Sequence, residues 1–367
     1  MRATRPNDDE EVDVQRVYVH GTAVSSSWAD GSASLTDLIF RCVRRALDDA
    51  RMPVGDLEAV VLAAHDLVDG RSLTNMITAP AAAAFLKDET RLGDDGAAAF
   101  VLGDARIRSG SVRTCLVAAW GRASEGPADD IARALFDPFT TRPLGMTEIG
   151  VSGLRASRAL IEHPEYAEHR AAAATRRGEV EGAAGRIPAA AWPLRDTELP
   201  IWGDVVSAVV LSSEPGPVEV LGAGMSTEPF ELGDRDLTGL PALRSAGEQA
   251  LREARRSIDE VDVLEIDALT MFDEALALEA VGATGSGRGM EALALDPRLD
   301  PAGARSVGYC APAMGLTRIA RAVQRVREGD GALALASGSS VVAAQTQAAV
   351  VLGRAEGHDT THGRSCR

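Results

Sequence analysis

The chain has 367 residues, 45% of them hydrophobic and only 4% aromatic, which is enough for two domains of ~150 residues with cores built from Ala, Val, Leu and Ile. Its formal net charge of -16 excludes a surface broadly suited to nucleic acid or anionic lipid, since either would be repelled over most of the exterior.

The four cysteines, Cys42, Cys115, Cys310 and Cys366, lack the paired spacing of a zinc site or a disulfide framework, so a cytoplasmic protein with no metal is expected. There is no apolar signal region and no apolar run near ~18 residues, so neither secretion nor a membrane span is expected. Residues 1–14 carry Asp8, Asp9, Glu10, Glu11 and Asp13 and read as a disordered acidic tail; residues 354–367 read as a flexible one.

Val14–Val24 has strand character, and Leu38, Ile39, Cys42, Val43, Ala46 and Leu47 then recur at helical spacing within Leu35–Arg51. Leu57–Ala64 is an apolar run suited to a buried strand. The second half opens in the same order, with Pro217–Ala223 as strand, Leu243–Arg256 as helix and Val261–Ile266 as strand. Ala46 matches Ala250 and Asp56 matches Glu260, both 204 residues on. Gly96–Gly110 matches Gly315–Gly329 at an offset of 219, each followed by an apolar strand, Cys115–Trp120 and Ala332–Ala336. Alternating strands close each half, Val205–Leu211 and Ala348–Leu352. Five elements matching in order point to an internal duplication of a mostly parallel α/β unit. The halves are expected at 15–213 and 217–353. Residues 122–200 read as a subdomain inserted in the first half, with helices at Val151–Ile161 and Tyr166–Arg177. Such insertions usually shape a ligand site.

Three stretches give this pattern a resemblance. Trp202-Gly203-Asp204 through Leu211, Glu265-Ile266-Asp267 through Gly282, and Gly308-Tyr309-Cys310-Ala311-Pro312-Ala313-Met314-Gly315-Leu316 are similar, in this order, to segments of the thiolase superfamily. They look most like its sterol-carrier-protein-type thiolases and lipid-transfer-like (thiolase-like aldolase) relatives, over about residues 15–353. The resemblance implies an α/β fold of two duplicated βαβ halves in a five-layered αβαβα body. It also implies acyl transfer or carbon–carbon bond chemistry on thioesters, with coenzyme A thioester as ligand and no covalently bound cofactor.

The family's four catalytic positions are all altered. Its nucleophilic cysteine, activated at a helix N-terminus, falls within Gly93-Asp94-Asp95-Gly96, where Asp94 and Asp95 read either as helix caps or as a carboxylate base. One family histidine falls on Asp267, which is open to the reading of a turn residue or of a proton acceptor. The second falls on Tyr309, whose phenol can donate to a developing oxyanion or can simply pack its ring. Cys310 takes the place of a proline and reads as a small buried hydrophobe. The second cysteine is absent from Leu335-Ala336-Ser337-Gly338-Ser339-Ser340, with Ser337 the nearest polar group and Gly338 marking where a ligand would approach the backbone.

Arg318, Arg321 and Arg325 recur on one helical face, to be read as a solvated face or as a site for the nucleotide phosphates of coenzyme A. Gly282–Gly289 is glycine-rich but follows no strand, so it reads as a flexible loop rather than a dinucleotide site; His65 reads as a structural histidine. Two functions fit: an enzyme of the aldol or retro-aldol type without a cysteine nucleophile, and a catalytically silent subunit that scaffolds an active thiolase- or ketosynthase-like partner. The resemblance implies a homodimer, or a heterodimer with a thiolase-like paralogue, with an OB-fold and zinc-ribbon protein as a further partner.

Overall fold

A computed structural model describes residues 14–27, 33–69, 75–178, 187–300, 308–340 and 342–355. The expected tails, apart from Val14, Arg354 and Ala355, lie outside the described residues, as does Cys366. The first half runs β1 (Val17–Ser27), α1 (Leu35–Ala50), β2 (Ala59–Ala63), α2 (Asn75–Ala81), β3 (Asp88–Leu92), α3 (Gly96–Arg108), β4 (Thr114–Arg122) and, after an insertion carrying α4 (Ala128–Leu135), α5 (Glu148–Glu162) and α6 (Tyr166–Arg177), β5 (Asp204–Ser212). The second runs β6 (Val218–Thr227), α7 (Pro241–Ala254), β7 (Val263–Glu265), α8 (Met271–Ala280), α9 (Gly289–Leu295), α10 (Ala311–Glu328), β8 (Leu333–Ser339) and β9 (Thr346–Arg354).

All nine strands join one sheet in the order β3-β2-β4-β5-β1-β6-β9-β8-β7. Read outward from the β1–β6 seam, each half places its closing strand first and its parallel strands beyond. The pairing of β2 with β3, β2 with β4, and β7 with β8 is parallel. The other five pairings are antiparallel, so the sheet is mixed where the sequence suggests a mostly parallel one. Direction leaves no mark on a strand buried on both faces; loop length does. Only residues 340–345 separate β8 from β9, too few for the crossover that parallel neighbours need.

Alternation along the strands sends side chains to two different cores. Val61, Val117 and Val209 meet α3 and α10 through Phe100, Leu316 and Ile319, and the second half contributes Val220, Ala336 and Val350 to the same cluster. On the outer faces Val60, Leu116 and Val210 pack on Ile39 and Leu47 of α1, while Leu335 and Val351 pack on Leu243 and Phe272 of α7 and α8. Helix, half-sheet, helix pair, half-sheet, helix is the five-layer order, the two halves of the one sheet both facing α3 and α10 in the middle.

The duplication extends to single atoms. β1 and β6 each carry a register shift, at Gly21 and at Gly222. A Cβ on Gly21 would lie 2.2 Å from the Ala46 carbonyl oxygen of α1 and 2.5 Å from the Ala50 nitrogen; on Gly222, 2.2 Å from the Ala250 oxygen of α7 and 2.8 Å from the Ala254 nitrogen. The bulge brings strand backbone onto helix backbone at both places, and only glycine fits. Gly21→Ala and Gly222→Ala are each expected to cost ~1–3 kcal/mol of stability by overpacking, measured by denaturant unfolding; an unchanged midpoint would contradict the close approach.

The insertion docks on the second half through buried polar contacts. Arg155 of α5 reaches Asp273 of α8 at 3.1 Å, while Arg177 and Tyr166 of α6 bond Glu274 and Glu279 of α8. Each charge is paired where it leaves water, so removing one partner would strand the other. Among the described residues no helix is long and apolar enough to cross a membrane.

Candidate active site

One carboxylate joins the two central helices. Asp95 caps α3 by accepting from Ala97 N at 2.7 Å through Oδ1, and accepts from Gly315 N, one turn inside α10, at 3.0 Å through Oδ2. The fit is close: a Cβ on Gly315 would lie 1.9 Å from Asp95 Oδ1, and one on Gly338 of β8 2.4 Å from it. Burial, and next the neighbouring charge of Asp267, push the Asp95 carboxyl well above the ordinary aspartate range. Asp94 is half-buried, accepts from Asp95 N at 2.7 Å, and is likewise raised by burial.

Beside this junction lies a largely apolar cavity of ≈ 90 Å³, several times the ~10–15 Å³ one water needs on that measure. Tyr309 and Asp267 both line it, whereas Asp94, Asp95 and Gly338 do not. The residues expected from the sequence therefore divide into a cavity pair and a buried support behind it.

Tyr309 precedes α10 and is locked by its backbone: its N–H donates to Ile201 O at 2.7 Å and its carbonyl accepts from Gly203 N at 3.3 Å. Its ring lies 5.9 Å from that of Trp202. Two of the motif stretches thus meet here, and the phenol hydroxyl hydrogen-bonds to no described residue. Burial, then the charges of Asp267, Glu148, Asp95 and Asp273, hold the phenol well above its usual range, so it is a proton donor at neutral pH.

Asp267 follows β7. Its N–H donates to Ser337 Oγ at 3.2 Å, and its Oδ2 accepts from Ser339 N at 3.1 Å and from Ser339 Oγ at 2.8 Å. Its Oδ1 is buried with no partner. Burial is the main cause that pushes this carboxyl up to about 6, opposed by the Ser339 bonds and by the Arg318 charge. It is ionised at neutral pH, yet basic enough to take a proton.

Three further cavity residues escape the sequence reading: Glu148, Arg155 and Asp273. Glu148 opens α5, accepts from Ala343 N at 2.9 Å and 3.0 Å through its two oxygens, and is pushed up to about 8, chiefly by burial. Asp273 is saturated, bonding Arg155, Ser152 and both N–H and Oγ1 of Thr270. Their only sequence signals are those of helix caps, Thr147 before Glu148 and the Thr270-x-x-Asp273 capping box.

The arginines of α10 are all engaged by carboxylates. Arg318 is 1% exposed and bonds Glu265 at 3.2 Å. Arg321 pairs with Glu265 at 3.7 Å and with Asp300, and Arg325 with Glu265 at 3.2 Å and Asp330 at 3.1 Å. Glu265 on β7 is the buried anion that collects them, which takes Arg318 out of the expected coenzyme A phosphate site, while Arg321 stays partly exposed. The thiols are no better placed for covalent chemistry: burial pushes Cys42 and Cys115 up to about 12 and Cys310, in the cavity wall, higher still.

No protein-family model matches the chain, and no curated protein matches it. Solved structures do. The Ltp2-ChsH2(DUF35) aldolase superposes with a TM-score of 0.73 at 18% identity, covering 94% of this chain and 99% of that one. Human mitochondrial 3-ketoacyl-CoA thiolase gives 0.69 at 14%, covering 93% and 99%. Acetyl-CoA acetyltransferase from Syntrophomonas wolfei gives 0.63 at 16%, covering 93% and 99%. The chain has a thiolase-like fold. At such identities the likeness carries the architecture alone, and the chemistry rests on the residues in the cavity.

Asp95→Ala would leave Ala97 N and Gly315 N without this acceptor. It is expected to lose ~1–3 kcal/mol in denaturant unfolding, and a loss below 0.5 kcal/mol, roughly the floor for a cap, would contradict the bridging role.

Proposed function

We propose that the protein binds CoA- or carrier-bound acyl thioesters and makes or breaks a carbon–carbon bond by aldol or retro-aldol chemistry, without a thiol nucleophile and as part of an enzyme complex. The observation that carries this reading is the pair in the cavity: a phenol held protonated and a carboxylate with one unpartnered oxygen. In the retro direction Asp267 takes the proton of a β-hydroxyl and the Cα–Cβ bond breaks. The electron pair passes to the thioester carbonyl, and Tyr309 stabilises the resulting enolate oxygen with a hydrogen bond. Asp267 then returns the proton to Cα, leaving an aldehyde or ketone and a shortened thioester. No residue is changed at the end of the cycle.

The aldolase and thiolase neighbours support this reading through their folds, and the 3-ketoacyl-CoA thiolase solved in complex with CoA (TM-score 0.66, 16% identity) makes coenzyme A a sensible first ligand. Assembly belongs to the same proposal: a homodimer or a heterodimer with a thiolase-like paralogue, with an OB-fold and zinc-ribbon protein as a further partner.

A second reading has its own support. The helix junction where the thiolase family carries its nucleophile is occupied here by the Asp95 cap, a structural use of that position. In that case the chain scaffolds an active thiolase- or ketosynthase-like subunit. It would co-purify with a cysteine-bearing paralogue and turn nothing over alone.

Tyr309→Phe is expected to lower turnover at least ~10²-fold, the usual weight of one oxyanion donor, while iodoacetamide leaves the wild type active; wild-type rates in the variant would remove the tyrosine from the mechanism. Because the base form of Asp267 is the active one, the rate should rise as pH climbs through about 6, and a rate flat from pH 5 to pH 7 (on the order of one unit either side of that titration) would exclude Asp267 as base. Thermal shift with coenzyme A is the first experiment: ligand at about 100 times its Kd adds about 2.7 kcal/mol, and no shift at millimolar ligand would count against thioester binding by the isolated chain.

A further inference from the structure

The glycine-rich Gly282–Gly289 stretch has no part in the cavity, yet it carries a serine onto a histidine and a carboxylate. Ser286 Oγ lies 3.1 Å from His163 Nε2, and His163 Nδ1 lies 3.2 Å from Glu165 Oε1. Nucleophile, base and orienting carboxylate thus stand in the mutual contacts that acyl transfer requires. Ser286 is exposed.

The array is held from several sides. His163 ends α5 and stacks on Tyr166, ring centroids 6.1 Å apart. The Tyr166 hydroxyl and Gly289 N both bond Glu279 Oε1, which ties the serine turn to α6. Gly287 has φ +76°, and a Cβ there would lie 2.3 Å from Glu165 Oε1 and 2.7 Å from His163 Nδ1. Only glycine lets the turn lie this close. The backbone N–H groups of Ser286 and Gly287 donate to no acceptor among the described residues, so both are free to bond an incoming ligand. α5 is 15 residues long and has Glu148 of the cavity at its other end, so at ~1.5 Å per residue the array sits about 22 Å from that wall.

We propose that Ser286, His163 and Glu165 form a second, solvent-facing acyl-transfer site that cleaves short-chain carboxylic esters, independently of the cavity. Ser286 Oγ attacks the ester carbonyl as its proton passes to His163 Nε2. The tetrahedral adduct collapses, and the alcohol leaves with that proton. Water, deprotonated by His163, then attacks the acyl-serine to release the carboxylic acid and restore the hydroxyl. Glu165 is a positioning residue that acts through the imidazole. Because Ser286 is exposed, the site selects for a small acyl group and a good leaving group rather than for a chain.

The test treats the intact protein with 4-nitrophenyl acetate and, separately, with a fluorophosphonate probe read by peptide mass spectrometry. Hydrolysis and labelling at Ser286 are expected, with hydrolysis falling at least ~10²-fold in Ser286→Ala and in His163→Ala. Glu165→Gln is expected to lower kcat at least ~10-fold, though by less than Ser286→Ala, with KM and melting temperature unchanged, as the third member of such arrays costs less than the other two. Tyr309→Phe should leave this activity intact. Wild-type hydrolysis in Ser286→Ala, absence of hydrolysis and labelling in the wild type, or labelling at another residue each overturns the proposal.

Discussion

One buried carboxylate ties the two halves of the molecule together. Asp95 caps the central helix of the first half and, through its other oxygen, accepts from Gly315 N inside the central helix of the second. The dipole of α3 points its positive end at it, which is where an acidic group is best tolerated away from water. The glycines at 315 and 338 are the counterpart of that placement, since any side chain there would fall on the carboxylate. The cap therefore fixes how α3, α10 and β8 meet, and with them the backbone from which Tyr309 and Asp267 reach the cavity.

The rest of the site follows from this arrangement and from the insertion. The Ser337-Gly338-Ser339 segment is gripped from both sides, Asp95 packing under Gly338 and Asp267 bonding both serines. The insertion supplies Glu148 and Arg155 and is anchored by Asp273, Glu274 and Glu279 along a single helix. The cavity thus collects carboxyl groups in an apolar setting. Arg155 is committed to Asp273 and Arg122 to Asp204 at 3.2 Å, which leaves Asp267 and Glu148 as the groups with raised affinity for protons. Such a site is suited to moving protons and unsuited to generating a thiolate.

Much of the fold can be read directly from the chain. The offset of 204 residues between Ala46 and Ala250 is the same contact made twice, each alanine carbonyl lying against a strand bulge. Strand direction was hidden, because a strand buried on both faces has the same pattern whichever way its neighbour runs. In the site, Tyr309 and Asp267 are found by matching motif positions, and both line the cavity. Glu148 and Asp273 look in sequence like the caps they also are. The partner of the α10 arginines stays hidden for a different reason: Glu265 lies 53 residues before Arg318, and helical spacing reveals a face without revealing what covers it.

The proposed proton chemistry at carbon can be tested without knowing the natural acyl group. Propionyl-CoA, a thioester of the product type, would be incubated with the protein in D2O and followed for deuterium at Cα by mass spectrometry. The account predicts exchange above the buffer rate in the wild type, and loss of that exchange in both Asp267→Asn and Tyr309→Phe. Bound propionyl-CoA that exchanges no faster than in buffer, or exchange that survives in Asp267→Asn, would contradict it.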